Sequence, residues 1–236
     1  HLAPDGVVYL LSAANRAVYR WSSTTEDWIS TLATVGSALD IALSGDGLRL
    51  FLSYPGGEIT VFDLEQPSPV ETPFVNSPQT PFEISTAGEI LFVGDPSGAW
   101  SSHWSYSPSG ALVSWKDWNY VSEEFVWSPP NGKMYFFRDS QSPNDLIWEE
   151  VAADGTIGID FDSPYHGDYP MEHPIRLDPA GTLVLIGSGH LFDAASLVHL
   201  DHLPLVVADA AWTATGLFTR DLFAGLRFRG LVVGPL

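Results

Sequence analysis

Cysteine is absent from this 236-residue chain. That excludes disulfide frameworks, cysteine-ligated zinc, iron–sulfur clusters and thiol catalysis together. Lysine is nearly absent, Lys116 and Lys133 being the only two. Basic residues number 10 against 29 acidic ones, a formal charge of −19. Such a surface repels phosphate backbones and anionic lipid, so nucleic-acid binding is not expected, whereas cationic partners, calcium or a saline setting suit it. No apolar run approaches the roughly 18 residues of a membrane span, so membrane insertion is not expected either. The opening residues His1-Leu2-Ala3-Pro4-Asp5-Gly6 do not form a signal peptide. They read as mid-strand entering a turn, from which we expect the chain to be part of a longer polypeptide. Also missing are a G-x-S-x-G elbow, a P-loop, G-x-G-x-x-G, H-E-x-x-H and any N-x-S/T sequon. Sustained helical periodicity is missing as well. Aromatics at 13% and charged residues at 17% argue against disorder.

What is present is a repeat. A short apolar stretch runs into a turn closing on glycine, and a second apolar stretch follows. Gly6, Gly47, Gly88, Gly132, Gly181 and Gly216 are preceded by LAPD, LSGD, ISTA, WSPPN, LDPA and WTAT. They are followed by VVYLLS, LRLFLS, EILFVG, KMYFF, TLVLIG and LFTR, at separations of 41, 41, 44, 49 and 35. Glycine suits a hairpin because it adopts positive φ without a Cβ clash. Further turns at 13–16 and 22–27, and at 54–57 and 65–69, make each unit a four-stranded antiparallel meander. Its strands are apolar on both faces: Leu48, Leu50 and Leu52 point one way and Phe51 the other, while Ile59 and Val61 alternate with Phe62 and Leu64. Sheets dry on both sides need neighbours on both sides. Radial stacking of four-stranded sheets supplies them, which makes the chain an all-β propeller. Six blades are expected, near 1–36, 37–78, 79–121, 122–172, 173–205 and 206–236, or seven if sequence upstream of His1 is missing. Trp21, Trp115, Trp127, Trp148 and Trp212 are read as fillers of the wedges between blades.

Residues 33–64, ATVGSALDIALSGDGLRLFLSYPGGEITVFDL, resemble one repeat of the YVTN/YncE-like β-propellers. Residues 179–202, PAGTLVLIGSGHLFDAASLVHLDH, resemble the later part of such a repeat. The tetrapeptide that names that family is replaced here by YLLS, FLSY, FVGD and YFFR. The resemblance implies a secreted, periplasmic or cell-surface protein. The family includes non-catalytic binding proteins and lactonase-like or dehydrogenase relatives, so the fold by itself assigns no activity.

Function is expected on the face carrying the loops between second and third strands and between blades. The long candidates are 65–81, 95–100, 139–145 and 160–174. They yield Trp100, Asp139, Asn144, Asp145, Tyr165, His166, Asp168 and Tyr169 as binding residues for a protein or glycan. No obligatory cofactor is expected. Asp160, Asp162 and Asp168 are candidate calcium ligands, since carboxylates at i and i+2 present oxygens to a hard cation. His190, Asp193, His199, Asp201 and His202 form a second polar group, read as a solvated outer rim. Trp100, His103, Trp104, Tyr106, Trp115 and Trp118 form a third. In it Trp104 and Tyr106 are expected opposite Val113 and Ala111 in inter-blade core, with Trp100 the better candidate for exposure. Adjacent strand residues face opposite ways, so Ser101-Ser102-His103 is no nucleophile pair. The alternative to a binding module is a lactonase-like or other hydrolase with a divalent cation in the central channel. Glu83, Glu123, Glu124, Arg176 and Asp209 are the candidates to contribute at that channel, with Asp40 a further one.

Overall fold

The computed structural model describes residues 1–81, 83–94, 101–119, 122–139, 142–213, 216–221 and 225–229. Trp100 lies outside them, as does the rest of the 95–100 loop. Nothing in the described residues is helical. The first sheet holds β1 (Val7–Ser12), β2 (Ala17–Ser22), β3 (Asp27–Trp28) and β4 (Leu32–Ala33). The second holds β5 (Asp40–Leu43), β6 (Arg49–Ser53), β7 (Glu58–Asp63) and β8 (Glu71–Asn76). The third holds β9 (Glu83–Ala87), β10 (Ile90–Gly94), β11 (Ser101–Tyr106) and β12 (Leu112–Asn119). The fourth holds β13 (Val126–Ser128), β14 (Lys133–Phe137), β15 (Leu146–Val151) and β16 (Ile157–Asp162). The fifth holds β17 (Ile175–Leu177), β18 (Leu183–Ile186), β19 (His190–Asp193) and β20 (His199–His202). The sixth holds β21 (Val207–Thr213), β22 (Gly216–Asp221) and β23 (Gly225–Arg229). Pairing is antiparallel and follows chain order within each sheet, except that β3 and β4 both pair with β2 as one interrupted outer strand.

These are antiparallel blades in a propeller ring, but the count departs from six. Five sheets are four-stranded and the last is three-stranded, so the described residues make five full blades. The expected number came from counting hairpin glycines. Each glycine marks only the first hairpin of a unit and says nothing of its third and fourth strands. In the first blade the innermost position is held by a bridge between Leu2 and Val8, with backbone bonds between His1 and Tyr9.

The two-sided dryness read from the strands is what packs the ring. Leu50 and Leu52 of β6 join Tyr9, Val18 and Leu32 of the first blade. Phe51, from the same strand, points into the third blade among Ile84, Leu91, Val93 and Trp104. Three more apolar clusters fill the third-to-fourth, fourth-to-fifth and fifth-to-sixth interfaces. Each aromatic fully buried in such a cluster contributes about 3–5 kcal/mol by the cost of truncation. Trp115 does not share this role and stands 59% exposed on an outer strand. Its strand is also shifted from expectation. Trp104 faces Trp115 and Tyr106 faces Leu112, because the hairpin closes on Ser107 and Ala111, one residue off expectation, and a bulge between Ser105 and Tyr106 slips the register by one more. Trp104 and Tyr106 are buried all the same.

Two expected loops shorten because strands enter them. β8 takes the middle of 65–81, and β16 takes Asp160 and Asp162. What remains of the first is a tight packing of the β6–β7 turn on the β8–β9 connection, where Ser77 N donates to Gly57 O at 2.7 Å. Gly57 has φ +96°, and a Cβ there would lie 2.5 Å from Ser77 O. Gly57→Ala is therefore expected to cost more than about 2 kcal/mol in urea unfolding, through strain and clash together.

Candidate functional site

Among the inner strands lies a central cavity of about 730 Å³, lined from the first, third, fourth, fifth and sixth blades, whose lining includes His1, Glu83, Glu124, Arg176 and Asp209. At the long-loop end it opens into a mouth of about 400 Å³ formed by Glu83, Glu123, Glu124, His173, Pro174 and Ala208. Glu124 is the hub. Its Oε2 accepts Ile175 N at 2.7 Å and sits 3.2 Å from His173 Nδ1, while its Oε1 accepts from Arg176 at 2.6 Å. Arg176 reaches on to Asp209, with Nε 3.0 Å from Oδ1. The other ring nitrogen of His173 lies 2.9 Å from Asp139 Oδ2, which also accepts Glu123 N at 2.8 Å.

These contacts set the protonation states. Burial opposes charge on His173, but hydrogen bonds from its ring to Asp139 and Glu124 outweigh that and hold its pKa at about 9. It is a clamped imidazolium, with no bare nitrogen left for general-base work. Burial also opposes charge on Glu124, yet His173 and Arg176 keep its carboxyl below the usual range. Glu83 is pushed the other way, to about 9, first by burial and then by the neighbouring Asp40 and Glu124. Asp40 rises to about 6 through burial, moderated by the hydrogen bond its Oδ2 accepts from Ile84 N at 2.9 Å.

Of the six channel residues read from sequence, Glu83, Glu123, Glu124, Arg176 and Asp209 line the cavity or its mouth and Asp40 lies near Glu83, but His173 and Arg176 sit among the acids where a metal ion would have to sit. Among the described residues no group of three His, Asp or Glu side chains is placed to hold a metal ion. The calcium candidates separate too. Asp160 is paired with Lys116 and Asp162 with Arg138, each carboxylate already matched by a protein cation, and Asp168 is exposed.

The predicted binding residues fall into two linked groups. Asp139 and Asn144 (Nδ2 to Oδ1, 3.4 Å) belong to the mouth through His173. Asp145 is wholly buried, accepts Ser163 Oγ at 3.2 Å and is pushed up by burial; it lies 3.7 Å from Nδ1 of the exposed His166. Farther out, Tyr165 and Tyr169 meet edge to face at 4.8 Å and pack on the fifth blade. Sequence reasoning left His173 off the binding set, although its place before Pro174 in an Asp-rich loop was visible. It also missed a buried clamp between the third and fourth blades. Glu149 Oε2 there is 3.2 Å from His103 Nδ1 and its Oε1 is 3.3 Å from Lys116 Nζ. The His103 ring is enclosed by Phe92, Phe125 and Phe136, so this histidine of the third polar-aromatic group is core.

No family model matches the chain, and no curated protein matches it. Solved structures do. A chain of hydrazine synthase from Kuenenia stuttgartiensis is similar at TM-score 0.72 and 14% identity, covering 99% of this chain and 83% of that one. A chain of a mitotic checkpoint complex is similar at 0.68 and 14%, covering 97% and 74%. A functionally unknown protein from Desulfotomaculum acetoxidans DSM 771 is similar at 0.65 and 15%, covering 98% and 82%. Likeness at such identities establishes the fold alone.

Proposed function

We propose that this chain is a non-catalytic binding module of the surface-layer propeller kind that its repeat resembles. It works outside the cytoplasm and engages a protein or glycan ligand through the long-loop face. A basic protein segment is the ligand that the channel mouth suits best. One observation carries this reading. Once His173 and Arg176 are spent on Glu124, Asp139 and Asp209, the mouth retains Glu83 and Glu123, neither of them hydrogen-bonded through its carboxylate among the described residues. A lysine or arginine side chain entering there meets an acidic, partly desolvated cavity and gains more than on open surface. The same cation draws a proton off Glu83, so affinity rises with pH toward 9.

A short lysine-, glycine- and serine-containing peptide tests this by titration calorimetry at low and high salt. Salt-sensitive binding is expected, weakened about fivefold or more in Glu83→Gln/Glu123→Gln. Glu26→Gln/Glu65→Gln, which removes at least as much charge from exposed turns at the other end of the blades, is expected to bind like the parent. Absent binding, or equal losses in both variants, would mean that only the overall charge matters and would remove this reading.

A further inference from the structure

Two features that stand apart in sequence meet at the outer half of the fifth blade. The loop after β16 brings Tyr165 and Tyr169, and β19 and β20 bring His190, His199 and His202. His190 Nδ1 lies 3.0 Å from His199 Nε2. The His202 ring lies over His190 at 4.3 Å. Tyr169 stacks on His199 at 4.5 Å and 12°, and sets an edge against His190 at 4.9 Å. The Tyr165 hydroxyl accepts the backbone N–H of His199 at 3.0 Å. The outer end of the 163–174 segment is thus held through Tyr169 on imidazole rings and through Tyr165 on the backbone of β20. Its inner end is held by His173 between Glu124 and Asp139.

We propose that His190, His199 and His202 form an acid-released clasp: protonation breaks their mutual contacts and frees Tyr165–Tyr169 from the fifth blade, while His173 keeps the inner end of the loop in place. The nitrogen-to-nitrogen contact needs one protonated and one bare nitrogen, so a second proton on the pair removes its acceptor. A proton on His202 then adds a like charge against the ring it overlies. Burial, then His202, then His199 hold His190 below the ordinary imidazole value, so the closed arrangement binds fewer protons than the open one. A group depressed in this way supports the closed state fully above pH 6.5 and loses that support as pH falls below it. The other titratable groups nearby are Tyr165, Tyr169, His166, Asp168, Asp193 and Asp201. Asp193 is turned to Ser196 and the backbone of its own turn, Asp201 accepts the His202 backbone N–H, and Asp168 is exposed. No carboxylate bonds to any of the three imidazoles among the described residues, so none neutralises the charge that acid puts there. His173 carries its proton at both pH values and does not respond.

Hydrogen exchange on the chain alone, without ligand, tests the clasp independently of the binding reading. Between about pH 7.5 and 5.5, corrected for intrinsic rates, residues 164–171 are expected to lose roughly tenfold in protection while β18 keeps its own. His190→Phe/His202→Phe retains the rings and leaves one imidazole, and its loop protection is expected to change less than about twofold over that range. Unchanged wild-type protection, or an equal loss in the variant, overturns the proposal. If the variant loses β18 protection as well, imidazole titration by NMR in the wild type decides. Expected are coupled titrations with His190 below 6.5, and three independent ordinary titrations would overturn the clasp.

Discussion

Glu149→Ala is expected to lower the unfolding free energy by about 3–5 kcal/mol, enough to shift the denaturant midpoint without ambiguity. The Glu149 carboxylate is wholly buried, and His103 beside it is equally inaccessible. Truncation leaves that imidazole inside a ring-lined pocket without the acid that orients it, and it removes one of the two carboxylates holding Lys116. Removing one partner of a buried polar pair costs far more than removing both. Hence His103→Phe/Glu149→Leu is expected to recover a good part of the loss, because Phe92, Phe125 and Phe136 already form an apolar cage for an added ring. Asp160→Asn, which removes only the exposed partner of Lys116, is expected to cost under about 1 kcal/mol. If Glu149→Ala proves as mild as Asp160→Asn, the buried clamp contributes nothing to the union of the third and fourth blades.

Raising the pH from 6 to 9 is expected to destabilise the fold. Glu83 moves from 4.5 unfolded to about 9 folded, and His173 from 6.5 to about 9. Both folded values lie above the unfolded ones, so the native state holds more protons than the unfolded chain across this interval and stability falls as pH rises. Asp40, raised to about 6, acts in the same direction at lower pH. Glu124 acts oppositely, since its depressed carboxyl loses its contribution only as acid protonates it. After discounting for screening at the open mouth, the two basic-side groups together contribute about 2–3 kcal/mol, or a fall in Tm of roughly 5–10 °C. Glu83→Gln keeps the size and removes the charge. It is expected to match the wild type near pH 5 and exceed it near pH 9, halving the slope or better. A wild-type Tm that is flat or rising over this range, or an unchanged slope in Glu83→Gln, contradicts the assignment.

The propeller was legible because its cause is local. Strand periodicity, glycine at the hairpins and apolar residues on both strand faces appear within each unit of about 40 residues, and Leu50, Phe51 and Leu52 pack left and right as their alternation requires. The inner strands and their acids were legible for the same reason. The blade count was not, because a hairpin glycine reports one turn and not a complete sheet. The Trp104–Trp115 pairing was missed because a bulge leaves no fixed mark in sequence. The spacing of Asp160 and Asp162 makes them candidate calcium ligands in sequence, and their pairing with Lys116 and Arg138 is invisible there because those cations come from distant points in the chain.

The sequence by itself determined an all-β, anionic, cysteine-free repeat whose sheets must stack on both sides, since backbone preference and burial pattern act between neighbours a few residues apart. Only the tertiary structure decided which charges meet. It set His173 between Glu124 and Asp139, Glu149 under His103, and three histidines beneath two tyrosines. Such pairings join residues tens of positions apart, and at contact distances a shift of a few ångströms decides whether a carboxyl faces a cation, another acid or water.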